Sequence, residues 1–435
     1  MQTDQYQPSR YAAPARRPSS IRPDAAQSWL DELHRWEFVL LQGAVFFAPY
    51  IAFRHPSVYI TLSDVLFAGA FLLRLYTARL EAPFANLTWL WVLGLLMLTG
   101  GLFIGSVFKG DMVRCLILVA QYCFAYLIVP LVLLRRPDHE VWRLMKCGVW
   151  GMAIMCGIGL VLYLAGADQS SLFTGNKRYT GFVNNPNAAA VLSVMALPLV
   201  WFLLLSGRMR AVAAIPCIAL LVVGIILTSS NTGLYSLAAA VLIFFGGRRN
   251  FKTLIGAACL GGAVLMFGQD YLPPAFQHRV LSAIEKGDVS EAGTFEGRQE
   301  LNREALGMAD ENLIIGLGAD QYRMASRYGN PVHNLYLLLL NEGGGLSLLG
   351  YLLILGVPIL VAVIAYRLPD GKLGLWTTVT IVLTFANAIM GVPHVYGRSW
   401  FLFVFLAISP ALISYASTRQ ASQPLYFDQG RGRYS

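Results

Sequence analysis

The stretch Pro331-Val332-His333-Asn334-Leu335-Tyr336-Leu337-Leu338-Leu339-Leu340-Asn341-Glu342-Gly343-Gly344-Gly345 is where this chain changes character. Upstream, residues 269–332 hold Arg279, Arg298, Arg303, Arg323 and Arg327 together with ten Asp or Glu. Downstream, residues 346–366 carry no charged side chain. About 20 apolar residues in a helix cross ~30 Å of hydrocarbon, so 346–366 reads as a membrane span. Similar runs recur near 37–53, 58–76, 87–107, 112–134, 141–165, 188–206, 209–228, 230–246, 251–268, 373–391 and 398–416. The expectation is an all-α polytopic membrane protein with about twelve transmembrane helices, because a spanning barrel needs alternating segments instead.

The composition agrees. The chain is 56% hydrophobic and 13% charged, against about 25% charged in soluble domains. Residues 1–36 are polar and rich in Arg, Pro and Ser, and read as a disordered basic cytoplasmic tail without a cleavable signal peptide. Residues 37–268 then hold spans one to nine, and 269–332 form one large, partly helical periplasmic loop between spans nine and ten. Residues 333–416 supply a loop-exit helix and spans ten to twelve, and 417–435 a second cytoplasmic tail. Cys115, Cys123, Cys147, Cys156, Cys217 and Cys259 all fall in or beside apolar runs, as core residues do, and form no metal or disulfide pattern.

With a cytoplasmic N-terminus, this count places 21 of the 33 Lys and Arg on the inner side, as the positive-inside rule requires. Six of the remaining 12 lie in the long loop. The net charge of +9 is therefore largely an orientation signal and gives no support for nucleic-acid binding.

Three pieces of chemistry share the outer side. The first is Lys177-Arg178-Tyr179-Thr180-Gly181-Phe182-Val183-Asn184-Asn185-Pro186-Asn187. Two cations beside a span sit at the interface or face a polar cavity. They either meet lipid headgroups or offer a phosphate the two-pronged fork of an arginine. Asn187 is expected to cap span six. The second piece is Gly297-Arg298, followed by an amphipathic helix over Gln299–Ala309 and a turn at Gly316-Leu317-Gly318. The third is His333-Asn334-x-x-Leu337, with Glu342 and its three glycines after it. A helix starting at Val332–Asn334 puts His333 at the positive end of a helix dipole, which favours the neutral imidazole a general base needs. The bland reading of His333 is an interfacial histidine. The glycines interrupt the helix or allow close packing. Asp64, near the outer end of span two, either serves function or caps a helix.

In that order and spacing, Arg178-x-x-Gly181-Phe182-x-Asn184-x-Pro186-Asn187, Gly297-Arg298, Gly316-x-Gly318 and His333-Asn334-x-x-Leu337 resemble the O-antigen ligase and O-antigen polymerase superfamily of bacterial envelope glycosyltransferases. The resemblance covers roughly residues 37–416. It implies transfer of a glycan from undecaprenyl diphosphate to an acceptor sugar hydroxyl, with inversion, at the periplasmic face of the inner membrane. No metal and no other cofactor is implied. By the same resemblance His333 is the catalytic base, Arg178 and Arg298 hold the diphosphate with help from Lys177, and Asn334, Asn187 and Glu342 support them. The partners implied are the undecaprenyl-diphosphate-linked oligosaccharide donor, a glycan acceptor and the bilayer, with a chain-length regulator as a further partner of a polymerase. Thr228-Ser229-Ser230-Asn231 stands where many members carry Ser-Arg, and Asn302 where an aromatic is common. A polymerase is favoured over a ligase acting on lipid A-core. A flippase or transporter would instead show paired halves and charge at mid-membrane.

Overall fold

A backbone in hydrocarbon must satisfy its own N–H and C=O groups, and long apolar helices do so within one segment. The computed structural model describes residues 25–52, 54, 60–77, 80–167, 170–267, 270, 272–281, 295–391 and 398–421. Among these residues there is no β-strand, only two isolated bridges, Arg54 with Thr61 and Phe173 with Tyr179. Thirteen long helices are described: α1 Ala25–Phe47, α2 Leu62–Thr77, α3 Thr88–Phe108, α4 Met112–Leu133, α5 Asp138–Leu164, α6 Pro186–Leu205, α7 Ala211–Thr228, α8 Asn231–Gly246, α9 Phe251–Phe267, α10 Phe295–Asn312, α11 Leu335–Ile364, α12 Gly371–Ala388 and α13 Arg398–Ala421.

Six stretches are long and apolar enough to cross a membrane: Ala85–Phe108, Met112–Leu133, Asp138–Leu164, Pro186–Leu205, Ala211–Thr228 and Leu335–Arg367. Shorter apolar helices stand at Asn231–Gly246, Phe251–Ala263 and Arg398–Ile413. Leu96, Ile117, Val161, Ile215 and Leu349 face outward from this bundle. Apolar surface on that scale needs lipid around it.

Two boundaries differ from the sequence reading. Residues 25–36, expected in a disordered tail, belong to α1. Good helix formers there (Ala25, Ala26, Leu30, Glu32, Leu33) extend the helix beyond its apolar part. At the other end α13 runs on to Ala421, past the expected limit at 416. Residues 1–24 and 422–435, and the middle of the long loop at 282–294, lie outside the described residues. Cys259 is exposed on α9 rather than in a core.

Helix α6 is the axis of the bundle. Every side chain from Ala188 to Leu203 is buried, and α5, α7, α8, α12 and α13 surround it. Small side chains set the other main contact, α3 against α11. A Cβ on Gly101 would overlap the Gly343 carbonyl oxygen and Ser347, and one on Gly350 would overlap the backbone of Gly94 and Leu98. Ser347 Oγ also donates to the Leu98 carbonyl at 2.7 Å. Backbones this close leave no room for a side chain, so Gly101→Val is expected to separate the pair. Overpacking typically costs about 1–3 kcal/mol, and with backbone atoms as the obstacle the loss should reach the upper end, read as a lowered unfolding temperature in detergent.

The end of the bundle away from the long loop holds a buried ion network. Glu37 accepts from Arg136, which also pairs with Glu140 at 3.2 Å, and Arg74 lies 3.5 Å from Glu37. His34 bridges Glu37 and Glu140 at 3.0 Å each. Arg74 and Arg136 are thus counter-ions of buried carboxylates.

Candidate active site

The residues singled out in the sequence lie on elements that meet at one end of the bundle. Helix α6 starts where Asn185 caps it, its Oδ1 accepting the Ala188 N–H at 3.0 Å, with Pro186 in the first turn. Asn187 is therefore not the cap: Pro186 already occupies the first helical position, where its fixed φ fits best. The Asn187 side chain turns to the site. Its Oδ1 accepts from Arg178 Nη2 at 3.0 Å and from Ser230 Oγ at 2.8 Å. Arg178 Nε donates to the Thr228 carbonyl at 3.0 Å. Ser229 takes a left-handed conformation with φ 46°, and Ser230 caps α8 through Gly233 N–H at 3.1 Å. One half-buried guanidinium is thus anchored to the corner between α7 and α8.

Arg298 comes from the first part of α10. Its Nη1 lies 3.9 Å from the point a Cβ on Gly391 would occupy. His333 sits just before Asn334, which caps α11 by accepting from Tyr336 N–H at 3.0 Å and Leu337 N–H at 3.4 Å. Val332 is buried on one side of it, and on the other Leu335 N–H bonds the Ile389 carbonyl at 2.9 Å. Arg298 and His333 therefore share the 389–391 corner after α12. Neither side chain has a hydrogen bond among the described residues.

The electrostatics tie the two corners together. Burial, then repulsion from Arg279 and Arg298, pulls Arg178 down to about 10. Burial and Arg279 lower Arg298 as well. Burial first, and Arg298 second, lowers His333 below its ordinary 6.5. Stripped of water, the imidazole is neutral at pH 7 because a proton on it would face a guanidinium. Arg279 acts on Arg178 and Arg298, Arg298 acts on Arg178 and His333, and among the described residues no carboxylate joins in these effects. Such a cluster is built to receive an anion.

The remaining expectations divide. Lys177 is exposed at a turn with φ 56°, beside the cluster, and it is not among the charges that act on Arg178. Glu342 is buried at a break in α11, where Gly344 takes φ 69°. Its carboxylate accepts the Tyr322 N–H at 3.2 Å, and its carbonyl accepts the Gly318 N–H at 2.8 Å. Glu342 thus fastens the Gly316–Tyr322 turn. A Cβ on Gly316 would overlap the Glu342 carbonyl, which is why that turn needs glycine. Asp64 closes a capping box with Thr61, N–H to Oδ2 at 2.7 Å and back at 3.2 Å, and pairs with Arg398 at 2.8 Å. His55 and His394 lie outside the described residues, and His278 is exposed.

Two residues of this end escaped the sequence reading. Arg279 was only one of several loop arginines, with no motif around it. Glu304 accepts from Ser326 Oγ and Arg327 N–H, both at 2.7 Å, and so clamps α10 to the segment leading to His333. Its signal was its place three turns along an amphipathic helix, which any solvated glutamate would share.

A bundle with six helices long and apolar enough to cross a membrane is a multi-pass membrane protein. Residues 216–355 match the family model described as O-antigen ligase, so this part of the chain is similar to that family. The matched region contains Arg279, Arg298 and His333 and stops short of Arg178. Comparison with curated proteins gives no match.

Proposed function

We propose that the chain is an inner-membrane glycosyltransferase that moves a glycan from undecaprenyl diphosphate to an acceptor sugar hydroxyl on the periplasmic face. The observation that carries this is the run of neighbours from Arg178 through Arg298 to a neutral His333, with Arg298 acting on both of the others. His333 takes the acceptor hydroxyl proton as the oxygen forms its bond to the anomeric carbon. The bond from that carbon to the phosphate oxygen breaks, and its electron pair leaves on the diphosphate. Attack opposite the leaving group inverts the centre. Guanidinium groups already fixed in place stabilise the charge that develops on the diphosphate. The donor is activated by its diphosphate, so the reading calls on neither nucleotide nor metal.

The acceptor in this reading is a new lipid-linked repeat unit, which makes the protein a polysaccharide polymerase and gives a chain-length regulator a role. The ligase reading, with lipid A-core as acceptor, is favoured by the description of the matched family. Purified protein in nanodiscs, given undecaprenyl-diphosphate repeat units alone, is expected to build a ladder of products. Transfer only when lipid A-core is added means ligase, and no transfer to either acceptor refutes the proposal.

The same reading sets twelve crossings, α1 to α9 and α11 to α13, with both termini cytoplasmic. A reporter inserted within 280–295 is expected to report the periplasm. A cytoplasmic signal from that insertion overturns the topology.

A further inference from the structure

Leu313-Ile314-Ile315 follows directly on α10, whose last residue is Asn312. Its backbone is held from two sides. On one side the Leu313 carbonyl accepts the Gly345 N–H at 2.7 Å. A Cβ on Gly344 would stand 3.0 Å from the Ile314 carbonyl oxygen and 3.1 Å from that of Leu313. The left-handed break in α11 at Gly344 is what lets this segment approach. On the other side Lys109 Nζ, just past the end of α3, donates to the Ile315 carbonyl at 3.1 Å and to Asn312 Oδ1 at 3.3 Å. The three residues therefore bridge the end of α3 and the break in α11. Their side chains are not covered. Ile314 is 86% exposed and Leu313 53%, so in water both would forgo most of the gain from burial. The neighbouring surface is apolar and outward too, with Val107 and Phe108 at the end of α3 and Leu346 and Leu349 on α11. These helices belong to two of the membrane-length stretches, Ala85–Phe108 and Leu335–Arg367. The 313–314 patch thus continues the surface that lipid covers.

We propose that Leu313 and Ile314 seat in the bilayer, as a wedge from the long loop that rests among the acyl chains of the leaflet at this end. The occupant follows from continuity. Lipid lies against the outward faces of α3 and α11, and the 313–315 bridge joins those two helices where α3 ends and α11 breaks. Lys109 suits the same level: it is exposed, and two of its three N–H groups are used, which leaves one for a lipid phosphate. Asp310 and Glu311 are exposed just before the wedge and Asp320 just after it, so the lipid contact is confined to the turn itself. The wedge fixes the end of α10 at the membrane surface, and the helix that carries Arg298 rises from the bilayer. The seat in lipid does not depend on the glycosyl transfer proposed above.

The test uses full-length protein in nanodiscs of phosphatidylethanolamine and phosphatidylglycerol, with photoreactive benzoylphenylalanine in place of Ile314. The site is open enough to take the larger ring without disturbing the fold. The same replacement at Leu349, on the outward face of α11, is the lipid-facing reference. Replacement at Tyr328, exposed among Arg327, Gly329 and Asn330, is the aqueous one. After irradiation, mass spectrometry of the intact protein should find lipid adducts at 314 as it does at 349. Their yield should exceed that at 328 by about tenfold, the preference that burying one such side chain supports. A yield at 314 no higher than at 328 means that water covers the patch and overturns the proposal. Cross-links between two copies of the chain from 314, without lipid adducts, mean that a second subunit covers it and overturn the proposal as well.

Discussion

His333→Ala is expected to abolish glycan transfer while leaving expression, membrane insertion and elution behaviour unchanged. A general base contributes about 10²–10⁴-fold in rate. The neighbours hold the fold without the imidazole: Val332 is buried, Asn334 caps α11, and Leu335 bonds the Ile389 carbonyl. The pH profile is a second readout. Only neutral His333 accepts a proton, so activity is full above its pKa and falls as pH drops through it. Burial and Arg298 place that pKa below 6.5, so the acid limb should lie below 6.5 in wild type. Removing the cation in Arg298→Gln should move the limb of the residual activity toward higher pH. Wild-type polymer from His333→Ala, measured on a gel, sinks the base assignment. An unmoved acid limb in Arg298→Gln sinks the electrostatic link.

Much of this site was legible because its residues sit at local signals. Asn334 before an apolar run marks a helix start, and the chain does begin α11 at Leu335. Gly343-Gly344-Gly345 marked a break, and Gly344 with φ 69° makes one. What stayed hidden depends on contacts between distant segments. Asn187 reads as a cap by type, but Pro186 moves the cap back to Asn185 and frees Asn187 for Arg178. The turn that carries Arg279 is held at this end only because Leu272 and Phe276 find Ile226 and Leu234. Glu342 reads only as a supporting residue, and the support it gives, holding the turn through Tyr322 N–H, depends on a contact 20 residues away in sequence. A count of inner-side cations likewise treats Arg74 and Arg136 as free, whereas Glu37 and Glu140 hold both.

Arg178 carries the other large effect. Two of its N–H groups are committed to the protein, Nε to the Thr228 carbonyl and Nη2 to Asn187 Oδ1, both at 3.0 Å. These bonds hold the guanidinium plane still and leave its other protons for a ligand, so no reorganisation is needed when charge develops. A lysine at this position keeps the charge but loses the planar fork. Its ammonium cannot reach the carbonyl, the amide and a phosphate in the same geometry. Arg178→Lys is therefore expected to lower kcat by about 10²-fold or more, the cost of losing one fixed donor at a developing anion. Asn187→Ala should do the same to a smaller degree, because it frees one edge of the guanidinium without removing it. Both variants should keep the unfolding temperature near that of wild type, since the corner retains the Ser230 cap on α8. Turnover of lipid-linked donor in nanodiscs measures the effect. If Arg178→Lys works within threefold of wild type, net charge at this end is all that matters, and the fixed fork has no part in the reaction.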